Sequence, residues 1–370
     1  MKGIWKYSHL LPQVDESCKL TLGEGGTPLV KSRSLGPALG LENLYFKLEM
    51  LNPTGSYKDR FAAIAVSDLL QKKMRFCLAT SSGNTGAALA AYCAAADIKC
   101  FLTVVDGAPI GKMKQMQVYG SETLMVRGFG KNVDVTKDVM FQLTSLAETL
   151  KTDIQISAYK LSPIGMEGVQ TIAYEIAESL PNQKCHVFSP AGGGGLTLAI
   201  LKGFNLWKDH NPAYRVPKVH CVQPEGNDTI AGPLRKELSG AEQIPKSTTT
   251  ISGLQVPNVL DGDEVLKMCR AVNGNGYTVE DDAIYKCQEE LSKQEGIFCE
   301  PAGAVALAGL KQAINNGEIN KNDHIVCLIT GHGFKDPISA DKIAASTKDH
   351  YFMDDKECFS YINSQINTIL

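Results

Sequence analysis

Four short segments of this 370-residue chain carry side chains in patterns able to do chemistry. In Asn52-Pro53-Thr54-Gly55-Ser56-Tyr57-Lys58-Asp59-Arg60, a lysine follows a Pro-Thr-Gly-Ser turn where a helix should begin. Burial and the positive end of a helix dipole both push such an amine toward its neutral form, the nucleophile needed for a Schiff base. Ser81-Ser82-Gly83-Asn84-Thr85-Gly86 stands between a strand and a helix. Its N–H groups and short hydroxyls suit a carboxylate, although an ordinary capped turn has the same composition. Ser189-Pro190-Ala191-Gly192-Gly193-Gly194-Gly195-Leu196 places four glycines between a strand and a helix, so the backbone can approach an anion such as a phosphate closely. It is not a Walker loop, because no Gly-Lys-Ser/Thr follows. A dinucleotide fingerprint also fails, since the third glycine of that spacing falls on Thr197 and no strand acid stands about twenty residues on. Thr330-Gly331-His332-Gly333-Phe334-Lys335-Asp336 closes the set, with the Thr330 hydroxyl expected in the same crevice and His332 read as a packing residue.

Elements that could position these residues are legible in the apolar pattern. Strands are expected over 44–49, 75–80, 100–105, 123–126, 153–157, 185–189, 219–223 and 324–330, with helical stretches between them. Phe61, Ile64, Ala65 and Leu69 have helical spacing after Lys58, and an Ala-rich helix runs to about Ala96. Thr278-Val279-Glu280-Asp281 has the form of a capping box opening a helix toward Glu295. Repeated strand–helix–strand units with apolar strands imply an α/β protein of parallel sheets covered by helices. Open sheets of that kind bind ligands beyond the carboxyl ends of their strands, which is where the four segments lie.

Composition narrows the partners. With 37 Lys plus Arg against 40 Asp plus Glu, the net charge of −3 gives no basic footprint for nucleic acid. A hydrophobic content of 44% is ordinary for a globular chain and argues against disorder. The most apolar run, Ala87–Ala96, falls well short of the roughly 18 residues that span a bilayer, so no membrane association is expected. The N-terminus lacks a continuous apolar stretch, and no secretory signal is expected. Eleven cysteines without C-x-x-C pairs or clustered histidines read as reduced thiols filling core positions in a cytoplasmic protein, with no metal-ligand spacing.

In this order and spacing the motifs resemble those of the fold-type II pyridoxal-phosphate enzymes, and within them the threonine synthase-like branch. Gly23-Glu24-Gly25-Gly26-Thr27-Pro28-Leu29, the segment 52–60, Met166-Glu167-Gly168, Glu300-Pro301-Ala302-Gly303-Ala304 and the segment 331–337 all match family segments. The similarity runs from about Trp5 to about Lys342. It implies pyridoxal 5′-phosphate as cofactor, Lys58 as the lysine joined to it and as proton shuttle, and Asn84 on the ring hydroxyl. It places Gly192, Gly193, Gly194 and Gly195 on the 5′-phosphate and Thr330 at the pyridine nitrogen, with Ser81, Ser82 and Thr85 holding the substrate carboxylate. It further implies a larger domain of 1–57 plus 162–347, a smaller mobile domain of 58–161, a tail of 348–370, and a homodimer.

The implied activity is a lyase acting on a small amino acid with a side-chain leaving group. Threonine synthase chemistry, O-phosphohomoserine plus water to threonine plus phosphate, is the leading form. Three departures bear on it. The substrate loop ends in Gly86 where the branch usually has serine. The phosphate loop is glycine-rich, as in serine and threonine dehydratases. Ser162-Pro163-Ile164-Gly165-Met166-Glu167-Gly168 lacks the arginine that a dianionic substrate favours, leaving Lys160 or Lys112 as substitutes. A β-replacement synthase, or a dehydratase acting on serine, threonine or an O-activated serine, therefore stays open, as does a non-catalytic paralogue.

Overall fold

The computed structural model describes residues 3–81, 83–108, 110–181, 183–345, 347 and 349–369. Its strands form two sheets. The larger runs in the order β1-β2-β10-β7-β8-β9, from β1 (Leu29–Lys31), β2 (Asn43–Lys47), β7 (Cys185–Pro190), β8 (Lys218–Pro224), β9 (Gly276–Val279) and β10 (His324–Leu328). The smaller runs β5-β4-β3-β6, from β3 (Phe76–Thr80), β4 (Lys99–Val104), β5 (Glu122–Met125) and β6 (Ile154–Gln155). Every pairing is parallel except β1 with β2. The expected α/β class is therefore the observed one.

Parallel strands covered on both faces should be apolar throughout, and β7 is buried along its whole length. Alternation still decides which core each side chain enters. In β10, Val326 and Leu328 join one apolar cluster, while Ile325 and Cys327 join the other. The first cluster passes from Trp5 through helix α1 (Lys58–Gln71) and helix α2 (Asn84–Ala95) to Val187, so both sheets share it. Helix α3 (Pro163–Val169) lies so close to α1 that a Cβ on Gly168 would sit 2.1 Å from the Arg60 carbonyl oxygen. Only glycine fits there.

Two expectations need correcting. β6 is shorter than 153–157, because the Ser162 hydroxyl takes the Ile156 N–H at 3.0 Å and turns the chain out of the sheet. The capping box at Thr278 does not form. Thr278 lies in β9, the helix over Asp281–Glu295 has Glu280 at its N-cap without a side-chain cap bond, and Asp281 accepts instead from Thr249 and Thr250. β1 and β9 were not anticipated. No described helix is long and apolar enough to cross a membrane.

Candidate active site

Lys58 begins α1, and its turn is tied to the end of β10 rather than to its own sheet. Tyr57 N–H donates to the Thr330 carbonyl at 3.1 Å, and His332 N–H donates to the Gly55 carbonyl at 2.9 Å. A β-bridge between Ser56 and Gly331 lies between them. This seam sets the lysine beside Thr330, although the two lie far apart in sequence.

Beyond the strand ends is a cavity of about 380 Å³. Lys58, Ser81, Asn84, Thr85, Gly192 to Gly195 and Thr330 all line it. Ser82 lies outside the described residues. A larger hollow of about 530 Å³, on the outer side of the lysine turn, contains none of these residues. It is lined instead by His332, whose Nδ1 accepts from the Phe334 N–H and whose ring stacks on Phe334. Histidine 332 is thus the packing residue expected.

Burial pulls the Lys58 amine down to about 7, against the opposing pull of the Glu300 and Asp261 carboxylates. Its Nζ donates to Tyr57 Oη at 2.6 Å and to Ser157 Oγ at 2.7 Å. Ser157 Oγ lies 2.9 Å from Thr85 Oγ1, so a short hydroxyl chain links the amine to the N-terminal turn of α2. Burial, reinforced by Glu300, pushes the Tyr57 phenol up, which keeps it neutral.

Asn84 Nδ2 donates to Glu300 Oε1 at 2.6 Å, while Asn84 Oδ1 is buried without a partner. Glu300 stands at the N-cap position of helix α5 (Pro301–Asn315), without a side-chain cap bond, and lies against Gly331, where a Cβ would come within 2.1 Å of its Oε1. The glycine loop leads from β7 into helix α4 (Gly195–His210). Gly194 adopts φ +95°, and a Cβ on Gly193 would meet Leu260 Cδ1 at 2.9 Å. The Gly192 carbonyl accepts from Gln223 and that of Gly193 from the Asp261 N–H. Among the described residues, none accepts from the N–H groups of Gly192–Gly195.

These features fit pyridoxal phosphate. The loop offers unpaired N–H groups at the start of a 16-residue helix, where a phosphate is favoured. The orphaned Asn84 oxygen needs a donor, and a ring hydroxyl is one. The Lys58 amine has the neutral character an aldehyde requires.

The sequence pointed to the cradle, the lysine and the strand-end threonine, but not to Tyr57, Ser157 or Glu300 as members of the site. Glu300 stood in a matching segment without a role, while a lone Ser157 at a strand end has no signature. Of the two lysine substitutes, Lys160 is exposed, with its backbone N–H on Asp261, and the Lys112 side chain lies outside the described residues.

Other residues of the motifs build an anchor. Arg60 is fully buried, with Nε 2.7 Å from Glu49 and Nη1 2.7 Å from Glu175. Glu175 also receives Lys47, and Thr27 donates to Glu49 at 2.6 Å. Burial opposes charge here too, but Arg60 and Lys47 hold the Glu175 carboxyl down to about 2, and the glutamates raise the guanidinium further above its ordinary value.

Comparison with known proteins agrees with this geometry. The family model described as "Pyridoxal-phosphate dependent enzyme" matches residues 20–331. The threonine synthase of Methanocaldococcus jannaschii is 34% identical over 340 residues, covering 91% of this chain and 82% of that protein. That of Halalkalibacterium halodurans is 32% identical, covering 90% of each. Among solved structures, the processed form of threonine deaminase isoform 2 from Solanum lycopersicum superposes with a TM-score of 0.70 at 22% identity, over 87% of this chain and 84% of that one. Diaminopropionate ammonia lyase from Escherichia coli gives 0.72 at 18%, over 90% and 94%. With a family model spanning most of its length and relatives above 30% identity, this chain belongs to the pyridoxal-phosphate-dependent enzymes of fold type II.

Proposed function

We propose that the chain is a lyase of the threonine synthase type, releasing phosphate from O-phosphohomoserine and adding water to give threonine. The observation that carries the lyase reading is the buried amine of Lys58, drawn to about 7 inside the same cavity as the four-glycine loop. The choice of substrate follows the relatives, whose names are threonine synthase over about nine-tenths of this chain.

Pyridoxal phosphate, when bound, supplies the electron sink for charge on the substrate carbons. Gly192 to Gly195 hold its phosphate through their N–H groups, and Thr330 offers a neutral hydroxyl to its ring nitrogen. Glu300 holds the Asn84 amide so that Oδ1 is left for the ring hydroxyl. Ser81, Ser82 and Thr85 bind the substrate carboxylate at the N-terminus of α2. Lys58 takes the α-proton at Nζ and hands protons on, since an amine near 7 both accepts and donates close to neutrality. Tyr57 and Ser157 aim that nitrogen through their oxygens.

A second reading has its own observation. Among the described lining residues of the cavity, Lys58 is the sole cation. A phosphorylated substrate wants a further one, so a dehydratase or β-replacement enzyme acting on serine, threonine or an O-activated serine is the alternative. Purified protein given O-phospho-L-homoserine decides between them. Phosphate and threonine in equal amounts support the first reading. No phosphate, with ammonia and a 2-oxo acid from serine or threonine, moves the assignment to the second.

We further propose the division into 1–57 plus 162–347, 58–161 and a 348–370 tail, supported by β3–β6 falling wholly inside 58–161. A cytoplasmic homodimer completes the reading. The dimer is supported by exposed apolar side chains such as Phe334 and Ile338, and sedimentation at working concentration tests it.

A further inference from the structure

In the smaller sheet, Cys77 on β3 pairs in register with Cys100 on β4, so both side chains leave the same face. Helix α2 packs on that face and brings Cys93 to them. The three Sγ atoms lie within 4.8 Å of one another, and all three residues are buried. Where only small apolar volume is needed, this helix uses alanine, as at Ala87, Ala88, Ala90 and Ala91. Three converging thiols are a different choice.

A hollow of about 240 Å³ reaches Cys93 and Cys100 from outside, with Arg75 and Lys99 in its wall. It gives a small ion a path. A trigonal site with metal–sulfur bonds of about 2.3 Å has sulfurs about 4.0 Å apart, so a shift of under about 1 Å closes the ring. The cluster contains no histidine or carboxylate among the described residues. Tetrahedral zinc needs a fourth ligand, whereas soft thiolates suit monovalent copper.

We propose that Cys77, Cys93 and Cys100 form a three-coordinate site for one soft, thiol-seeking ion, Cu(I). Each thiol that becomes a ligand releases its proton to solvent, and copper stays monovalent, so no electron moves. Occupancy clamps α2, the helix that begins with Asn84 and Thr85, onto its sheet.

The test is an anaerobic titration of the cofactor-loaded protein with Cu(I) against bathocuproine disulfonate. The part-exposed thiols are removed beforehand as Cys18→Ser and Cys358→Ser. We expect one equivalent to be drawn from the chelator, ultraviolet thiolate-to-copper absorption, and three sulfur neighbours by X-ray absorption. Cys93→Ala and Cys100→Ala should each weaken binding by more than about 100-fold while the cofactor absorbance persists. Failure to compete with the chelator, or equal affinity in both variants, overturns the proposal. If a variant does not fold, the sulfur count on the otherwise unaltered protein decides: three neighbours support the site and two overturn it.

Discussion

Lys58 and Arg60 stand two residues apart on one helix, Lys58 part-buried at the cavity wall and Arg60 fully buried, and do opposite things with their charge. Lys58 has hydroxyls for hydrogen-bond partners and carboxylates only at a distance, so burial wins and the amine falls to about 7. Arg60 has Glu49 and Glu175 in direct contact, so pairing wins and the charge is locked in. Burial alone therefore does not determine what a cation becomes. Burial with dipoles makes a reagent, and burial with counter-charges makes a fastening.

The sharpest way to break this contrast is to remove each member. Lys58→Ala should lower turnover by about 10⁴-fold or more without lowering the melting temperature. Turnover close to that of the unaltered protein would end the assignment of Lys58. Arg60→Met should do the reverse. It strands Glu49 and Glu175 as buried, unpaired acids, at a cost of about 3–5 kcal/mol in denaturant unfolding. Its folded fraction should keep kcat within a few-fold, and a large fall in kcat at unchanged stability would make Arg60 part of the chemistry.

Acidity gives a finer version. In cofactor-free protein, Lys58 sits at about 7 against an ordinary 10.5, so the unfolded chain binds more protons between those values. Stability should then rise with pH across that window, by on the order of a few kcal/mol. Lys58→Met should lack this slope, and an unchanged slope in that variant would assign it to other groups.

Gly193→Asp tests the cradle instead of the amine. Its Cβ meets Leu260 and its charge opposes a phosphate, so cofactor affinity should fall about tenfold or more, or about 1.4 kcal/mol. Titration of the bound absorbance reads it, and unchanged affinity would remove the loop from cofactor binding. Smallest of all, Ser157→Ala deletes one hydrogen bond to Nζ, worth about 1 kcal/mol. The alkaline limb of the pH–rate profile should move while the melting temperature holds, and an unmoved limb would make Ser157 structural.

Long or strongly patterned features were legible in the sequence. The buried runs that became β7, β8 and β10 have no other reading, and the turns after them have a composition that marks anion and carboxylate sites. Short features were not. β1 has three residues at a sheet edge, and β9 shares Thr278 with what looked like a helix cap. Four residues with the right letters, Thr-Val-Glu-Asp, lost to strand pairing with β8. The anchor was hidden for another reason: Arg60 and Glu175 meet across 115 residues, and no local pattern marks such a pair. The same applies to Glu300 and Asn84, 216 residues apart.

The position of β10 in its sheet has a consequence for synthesis. It lies between β2 and β7, and its end carries the seam that seats the lysine turn. A ribosome makes His324 long after Asn43 and Cys185, so the strands on either side must wait for their middle partner. Until residue 330 emerges, the nascent protein holds an idle amine and an open gap in its sheet. Truncation before residue 330 should therefore yield chains that chaperones retain and that no B6 absorbance marks.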